Sequence, residues 1–151
     1  MKRLFLITIF LCKMIYSAES HLFIDVVLDN DIILCDSTLY RVLKENGAWY
    51  PDILVAQSRL ETGNYKSQLC VAANNIFGMR KVHKRETLQC GDTNGYGKYN
   101  HWIDSAIDRI MLDTTVFNNI MPSIEVYEKY ITSYAKDSNY LKKIKSINVK
   151  K

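Results

Sequence analysis

Proline occurs only twice in 151 residues, and no low-complexity or repeated segment interrupts the chain. That scarcity excludes a Pro-rich linker and a solenoid of repeats. The four cysteines include no C-x-x-C pair, so nothing has the spacing of a zinc ribbon or a thioredoxin-type redox centre. No glycine-rich phosphate loop and no G-x-S-x-G elbow is present, which removes the support for P-loop and serine-hydrolase chemistry. The longest apolar run, Leu4 to Cys12, is cut by Lys13 and falls well short of the ~20 residues a membrane-spanning helix needs. What remains is 48% hydrophobic and 24% charged, the profile of one globular domain.

The first residues stand apart from the rest. Met1-Lys2-Arg3 is a basic start, Leu4 to Cys12 is apolar apart from Thr8, and Ser17-Ala18 supplies a small-residue exit. This is the pattern of a secretory signal over residues 1–18, leaving 19–151 as the mature domain. A buried N-terminal element is the alternative, and Tyr16 occupies a position where cleavage prefers a small residue. Residues 1–18 hold Lys2, Arg3 and Lys13 and no acid, so 17 of the 20 basic residues face 16 acidic ones in the remainder. A nearly neutral mature chain gives no argument for nucleic acid. The predicted setting is therefore secreted, in the periplasm or cell wall, with no stable membrane insertion after signal removal. Cys12 would leave with the signal. Cys70 and Cys90 can then form a bridge in an oxidising compartment or remain buried thiols.

Helical spacing dominates the pattern. Asp36-Ser37-Thr38 offers caps for a helix carrying Leu39, Val42 and Leu43, and Pro51 opens a second in which Ile53, Leu54, Gln57, Leu60 and Glu61 share one side. Gly63 stops that helix. Ser67 caps a short one that Asn74-Asn75 breaks. Residues 79–99 lose helical spacing and contain Asn94-Gly95, which predicts a small hairpin. Helices are expected again from about His101 to Phe117, capped by Asn100, then over 123–133 and 138–147. The expected fold is mainly α with one small β excursion.

Four ordered motifs carry the chemistry. They are A-Q-S-R-L-E-T-G-N-Y-K-S at 56–67, A-N-N-I-F-G-M-R at 73–80, Y-G-K-Y-N-H-W-I-D-S-A-I-D at 96–108 and Y-A-K-D-S-N-Y-L-K-K-I at 134–144. Together they resemble the glucosaminidase family of cell-wall hydrolases, whose pattern runs Q-x-x-x-E-[ST]-G-x-x-x-S and then N-N-x-F-G-[IM]-[KR]. The third motif is looser, departing at Tyr96, His101 and Ala106, and Ser138 replaces a proline in the fourth. The resemblance implies a lysozyme-like helical domain with a small β-hairpin lobe. It also implies cleavage of the β-1,4 bond after N-acetylglucosamine in the glycan strands of peptidoglycan. No cofactor or metal is expected, and a monomer is.

The residues themselves support one part of this. Breaking a glycosidic bond needs a carboxylic acid that keeps its proton, which partial burial promotes. Glu61, in the last turn of an apolar helix and close to Gly63, is placed for that role, and the negative end of the helix dipole acts in the same direction. By resemblance, Asn74, Asn75, Phe77 and Gly78 form a cleft-lining turn, and Tyr134 belongs to the cleft and steadies the reacting sugar. A second carboxylate would come from Glu86, in a strand-like segment, rather than from Asp92, which a turn explains equally well. Without a second carboxylate, the substrate's acetamido group could act as nucleophile. Two alternatives stay open: a muramidase or lytic transglycosylase of the same fold, and a silent wall-binding protein.

Overall fold

The computed structural model describes residues 32–133 and 135–151, nearly all of them within one unit, Leu34–Lys151. The predicted signal segment 1–18 and Tyr134 lie outside the described residues.

Helix α1, Asp36–Glu45, starts at the first of its expected caps. Cys35 is the capping residue, and its N–H donates to Thr38 Oγ1 at 3.0 Å. Leu39, Val42 and Leu43 are its buried stripe. Pro51 opens α2, Pro51–Thr62, and Gly63 closes it in the left-handed conformation at φ 55°. Leu54, Val55, Ala56, Gln57 and Ser58 are all buried, so α2 is enclosed on several sides rather than along one stripe. Ser58 ties it to the following turn by donating to the Ile76 carbonyl at 2.8 Å.

Ser67 caps α3, Gln68–Ala73, and Asn74 ends it in the left-handed region at φ 52°. The lobe that follows has much less strand than its sequence suggests. Gly91–Thr93 (β1) and Tyr96–Lys98 (β2) pair antiparallel, with Thr93 opposite Tyr96, and Arg80 adds a single antiparallel bridge to Tyr96. Both turn residues, Asn94 and Gly95, have positive φ, as a tight two-residue hairpin turn requires. Residues 81–90 are irregular; the Lys81 and Cys90 N–H groups at their ends donate to the Gly95 and Lys98 carbonyls at 3.0 and 2.9 Å, and side chains hold the stretch between. Gln89 accepts from the Val82 N–H at 3.0 Å and donates to the Arg80 carbonyl at 3.0 Å. Gly97 makes room for it: a Cβ there would lie 2.4 Å from the Gln89 amide.

Helix α4, Trp102–Val116, takes His101 rather than Asn100 as its cap. His101 Nδ1 accepts from the Ile103 N–H, and Asp104 reciprocates by accepting from the His101 N–H. Ile103, Ala106 and Ile110 are buried as the periodicity predicts, but so are Asp108, Arg109 and Asp113. Helices α5, Ile124–Thr132, and α6, Tyr140–Ser146, complete the unit. Their Tyr127, Ile131, Tyr140 and Ile144 close a core with Ala56 of α2, against which Trp49, Tyr50, Phe117 and Tyr130 pack. The architecture is the expected one, mainly α with a small hairpin lobe.

Cys35, Cys70 and Cys90 are free thiols; Cys70 is buried and Cys90 exposed. A Cys70–Cys90 bridge is therefore not part of this fold.

Candidate active site

Glu61 occupies the last turn of α2, where the helix runs out at Gly63 and its side chain meets a groove of about 550 Å³. The wall opposite comes from the turn after α3 and from the lobe: Phe77, Gly78 and Met79, then Arg80, Lys81, Val82, Arg85 and Tyr96. Glu61 is the one carboxylate among the described residues lining this groove. A second hollow, of about 340 Å³, lies at the start of α1, where Arg59 and Tyr65 already occupy the Asp36 carboxylate.

The sequence predicts partial burial for Glu61, whereas the residue is exposed. Its carboxyl is held by Tyr140 instead, whose hydroxyl donates to Glu61 Oε1 at 2.5 Å. The other oxygen, Oε2, faces Gly78, where an added Cβ would stand 3.7 Å away. Gly78 has φ +62°, a conformation that costs an L-residue strain, so it leaves Oε2 uncovered and keeps the turn relaxed.

Beneath Glu61 runs a buried polar chain. Gln57, one helical turn earlier on α2, donates to the Tyr140 oxygen at 3.0 Å and accepts from Arg109 Nη1 at 2.8 Å. Arg109 Nε reaches Asp113 Oδ1 at 3.0 Å. Tyr127 closes the chain on Asp113 Oδ2 at 2.5 Å. Gln57 and Arg109 are fully buried and Asp113 nearly so. The Arg109 guanidinium also lies 5.7 Å from the Phe77 ring centre and 5.8 Å from that of Tyr130. A cation taken out of water needs such company, because its desolvation cost is offset only by close partners. Burial first, and then the hydrogen bond and charge of Glu61, push the Tyr140 hydroxyl above its ordinary value. It therefore remains a proton donor across the neutral range.

The other predicted site residues take distinct places. Asn75 is buried, and its amide is spent within the protein: Nδ2 donates to the Met79 and Gly97 carbonyls, both at 2.8 Å, and Oδ1 accepts from the Met79 N–H at 2.9 Å. Asn74 donates to the carbonyls of Tyr99 and Asn100, at 3.2 and 2.9 Å. These asparagines pin the turn to the lobe and so present Phe77 and Gly78 to the groove. Glu86 is exposed in the irregular segment rather than in a strand, next to Arg85, and is not itself among the groove-lining residues. Asp92 pairs with Lys81 at 2.6 Å, and that contact lowers its carboxyl below the usual range. Tyr134 is outside the described residues.

Periodicity singled out neither Tyr140 nor Arg109. Tyr140 does fall in the fourth motif, where its spacing from the end of α5 was the available signal. Arg109 gives none, because an arginine on an apolar helix face is ordinarily placed at the solvent edge.

Residues 37–150 match the sequence model of the family described as Glucosaminidase, mannosyl-glycoprotein endo-beta-N-acetylglucosaminidase. Among solved structures, the chain is similar to the catalytic domain of the autolysin Auto from Listeria monocytogenes. That likeness has a TM-score of 0.49 and 19% identity, and covers 74% of this chain and 76% of that one. No curated protein matches the sequence significantly.

Proposed function

Because this chain belongs to the glucosaminidase family, we propose that it hydrolyses peptidoglycan at the β-1,4 bond after N-acetylglucosamine, with Glu61 as general acid. The observation that carries this reading is the state of the Glu61 carboxyl: one oxygen is held by Tyr140 and the other lies beside Gly78 on a groove of about 550 Å³. In the reaction, the glycosidic C–O bond breaks as Glu61 passes its proton to the leaving oxygen. The anomeric carbon is then taken by a nucleophile on the opposite face.

Two sources of that nucleophile follow from the residues present. Glu86, next in sequence to the groove-lining Arg85, is the candidate base for a water molecule. The substrate's own acetamido oxygen is the second, favoured by Glu61 being the one carboxylate among the described groove residues. Tyr134 is the candidate to steady the reacting sugar, and Phe77 and Gly78 form the wall it rests on. Export through residues 1–18 would deliver the protein to its substrate in the periplasm or wall.

Digestion of purified peptidoglycan tests this directly. New reducing ends at N-acetylglucosamine are expected, while muramic acid or anhydro ends would point to a muramidase or transglycosylase. Glu61→Gln should abolish lysis. Retained activity in that variant, or a wild-type protein that binds walls without cutting them, would overturn the assignment. Glu86→Gln separates the two nucleophiles: a large loss supports an activated water, and near-normal rates support the acetamido route.

A further inference from the structure

The chain beneath Glu61 has a direction, because some of its members can play only one part. Arginine carries N–H groups and no acceptor, so Arg109 Nη1, 2.8 Å from Gln57 Oε1, must donate. An amide has one oxygen and one NH2 group. With its oxygen turned to Arg109, Gln57 presents the NH2 to Tyr140 at 3.0 Å. The phenol oxygen of Tyr140 must accept that N–H, and its single proton is left for the remaining neighbour, Glu61 Oε1, at 2.5 Å. The reverse order, a protonated Oε1 donating to Tyr140, would aim the tyrosine's proton at an NH2 group that cannot accept it.

We propose that Gln57, oriented by Arg109, fixes Tyr140 as a standing donor to Glu61 Oε1, so that the catalytic proton is carried on Oε2. This rests on the reading of Glu61 as the general acid and specifies which atom does the work. Oε2 is the oxygen next to Gly78, on the groove side. When its proton moves to the leaving oxygen, the charge left on the carboxylate is already met at Oε1 by the Tyr140 O–H. Asp113, which accepts from Arg109 and Tyr127, anchors the far end of the chain so that the amide cannot turn over without breaking two buried bonds. Gln57, Arg109 and Tyr140 are thus positioning residues for one proton.

The test uses the full-length protein labelled with carboxyl-13C glutamate, the Glu61 signal being identified by its loss in Glu61→Gln. Tyr140→Phe removes only the hydroxyl. Gln57→Glu replaces the NH2 by an oxygen, so the Tyr140 proton is drawn toward residue 57 and away from Glu61. The other charged and titratable groups at the groove, Arg80, Lys81, Arg85 and Tyr96, are untouched by either change. Both variants are expected to raise the pH midpoint of the Glu61 signal. The alkaline limb of wall hydrolysis should move with it, and kcat should fall about tenfold with KM nearly constant, as for a lost hydrogen bond to a charged group. Thermal melts confirm that each variant is folded. An unchanged Glu61 midpoint in folded Tyr140→Phe, or shifts of opposite sign in the two variants, would overturn the proposal. The two readings fail separately. A midpoint that moves in a protein that never cuts peptidoglycan removes the proposed function and keeps the proton assignment, and active protein with a fixed midpoint does the reverse.

Discussion

Arg85 grips Asp108 with two hydrogen bonds, 2.7 Å to Oδ1 and 3.2 Å to Oδ2, joining the irregular lobe to a fully buried carboxylate on α4. The Tyr99 hydroxyl donates to the same carboxylate at 2.7 Å. The middle of an irregular segment is thus tied to the helical core through one anion. Removing that anion leaves Arg85 without its partner in a mostly buried place. Asp108→Ala is expected to cost about 3–5 kcal/mol, the usual cost of breaking a buried pair. Urea unfolding measures the loss, and limited proteolysis should cut first within 81–90. A loss under about 1 kcal/mol would show that the lobe is held by something else.

Gly78→Ala probes the groove wall. The left-handed backbone at φ +62° penalises any Cβ by about 1–2 kcal/mol, and the new methyl would stand 3.7 Å from Glu61 Oε2. A modest fall in stability is expected together with a much larger fall in peptidoglycan hydrolysis. Equal activity in the variant and the parent would mean that substrate does not approach Oε2 from the Gly78 side.

Much of this was legible in the sequence. Helix periodicity and end signals located α1, α2, α4, α5 and α6 to within one or two residues: most bury an apolar stripe that polar neighbours make visible, and Pro51 and Gly63 bound the more enclosed α2. Glu61 was singled out for a different reason, the motif around it, and it does line the groove. The lobe was not legible. Its order comes from Gln89, Arg85 and Asp108 acting across long separations, and a hydropathy pattern records no such pairing. For the same reason Asp108, Arg109 and Asp113 were unexpected inside α4: burial of charge is decided by partners on other elements. Glu61 also departs from its expected burial, and the hydroxyl that covers it comes from Tyr140, 79 positions away.

The thiols give an independent check on the fold. Cys70 is buried, and burial pushes its thiol up; Cys90 is exposed; hydrogen bonds from Ser37 and Thr38 hold the Cys35 thiol below its ordinary value. A thiol reagent should therefore modify Cys35 and Cys90 in the native protein and reach Cys70 only on unfolding. Peptide mapping after a short pulse reads the order. A reductant should leave the melting temperature unchanged, whereas a clear drop would reveal a disulfide and contradict the free state of these residues.

Alkali should unfold this protein through its tyrosines. Burial and neighbouring carboxylates raise Tyr99, Tyr127 and Tyr140, and burial with Asp36 does the same for Tyr65. An unfolded tyrosine loses its proton near pH ~10, while these keep theirs in the folded state. Above that pH the native protein binds more protons than the unfolded chain, so stability falls as pH rises. Below it the contribution is fully present. Each such group adds a slope of up to about 1.4 kcal/mol per pH unit. Urea unfolding between about pH 8 and about pH 11 should show a plateau followed by a steep decline, and tyrosinate absorbance should rise together with unfolding. Tyr140→Phe removes one of these groups and should make the decline shallower by one tyrosine's share. A decline equally steep in that variant would mean that Tyr140 ionises as freely in the fold as out of it, and the contact with Glu61 would then have no hold on its proton.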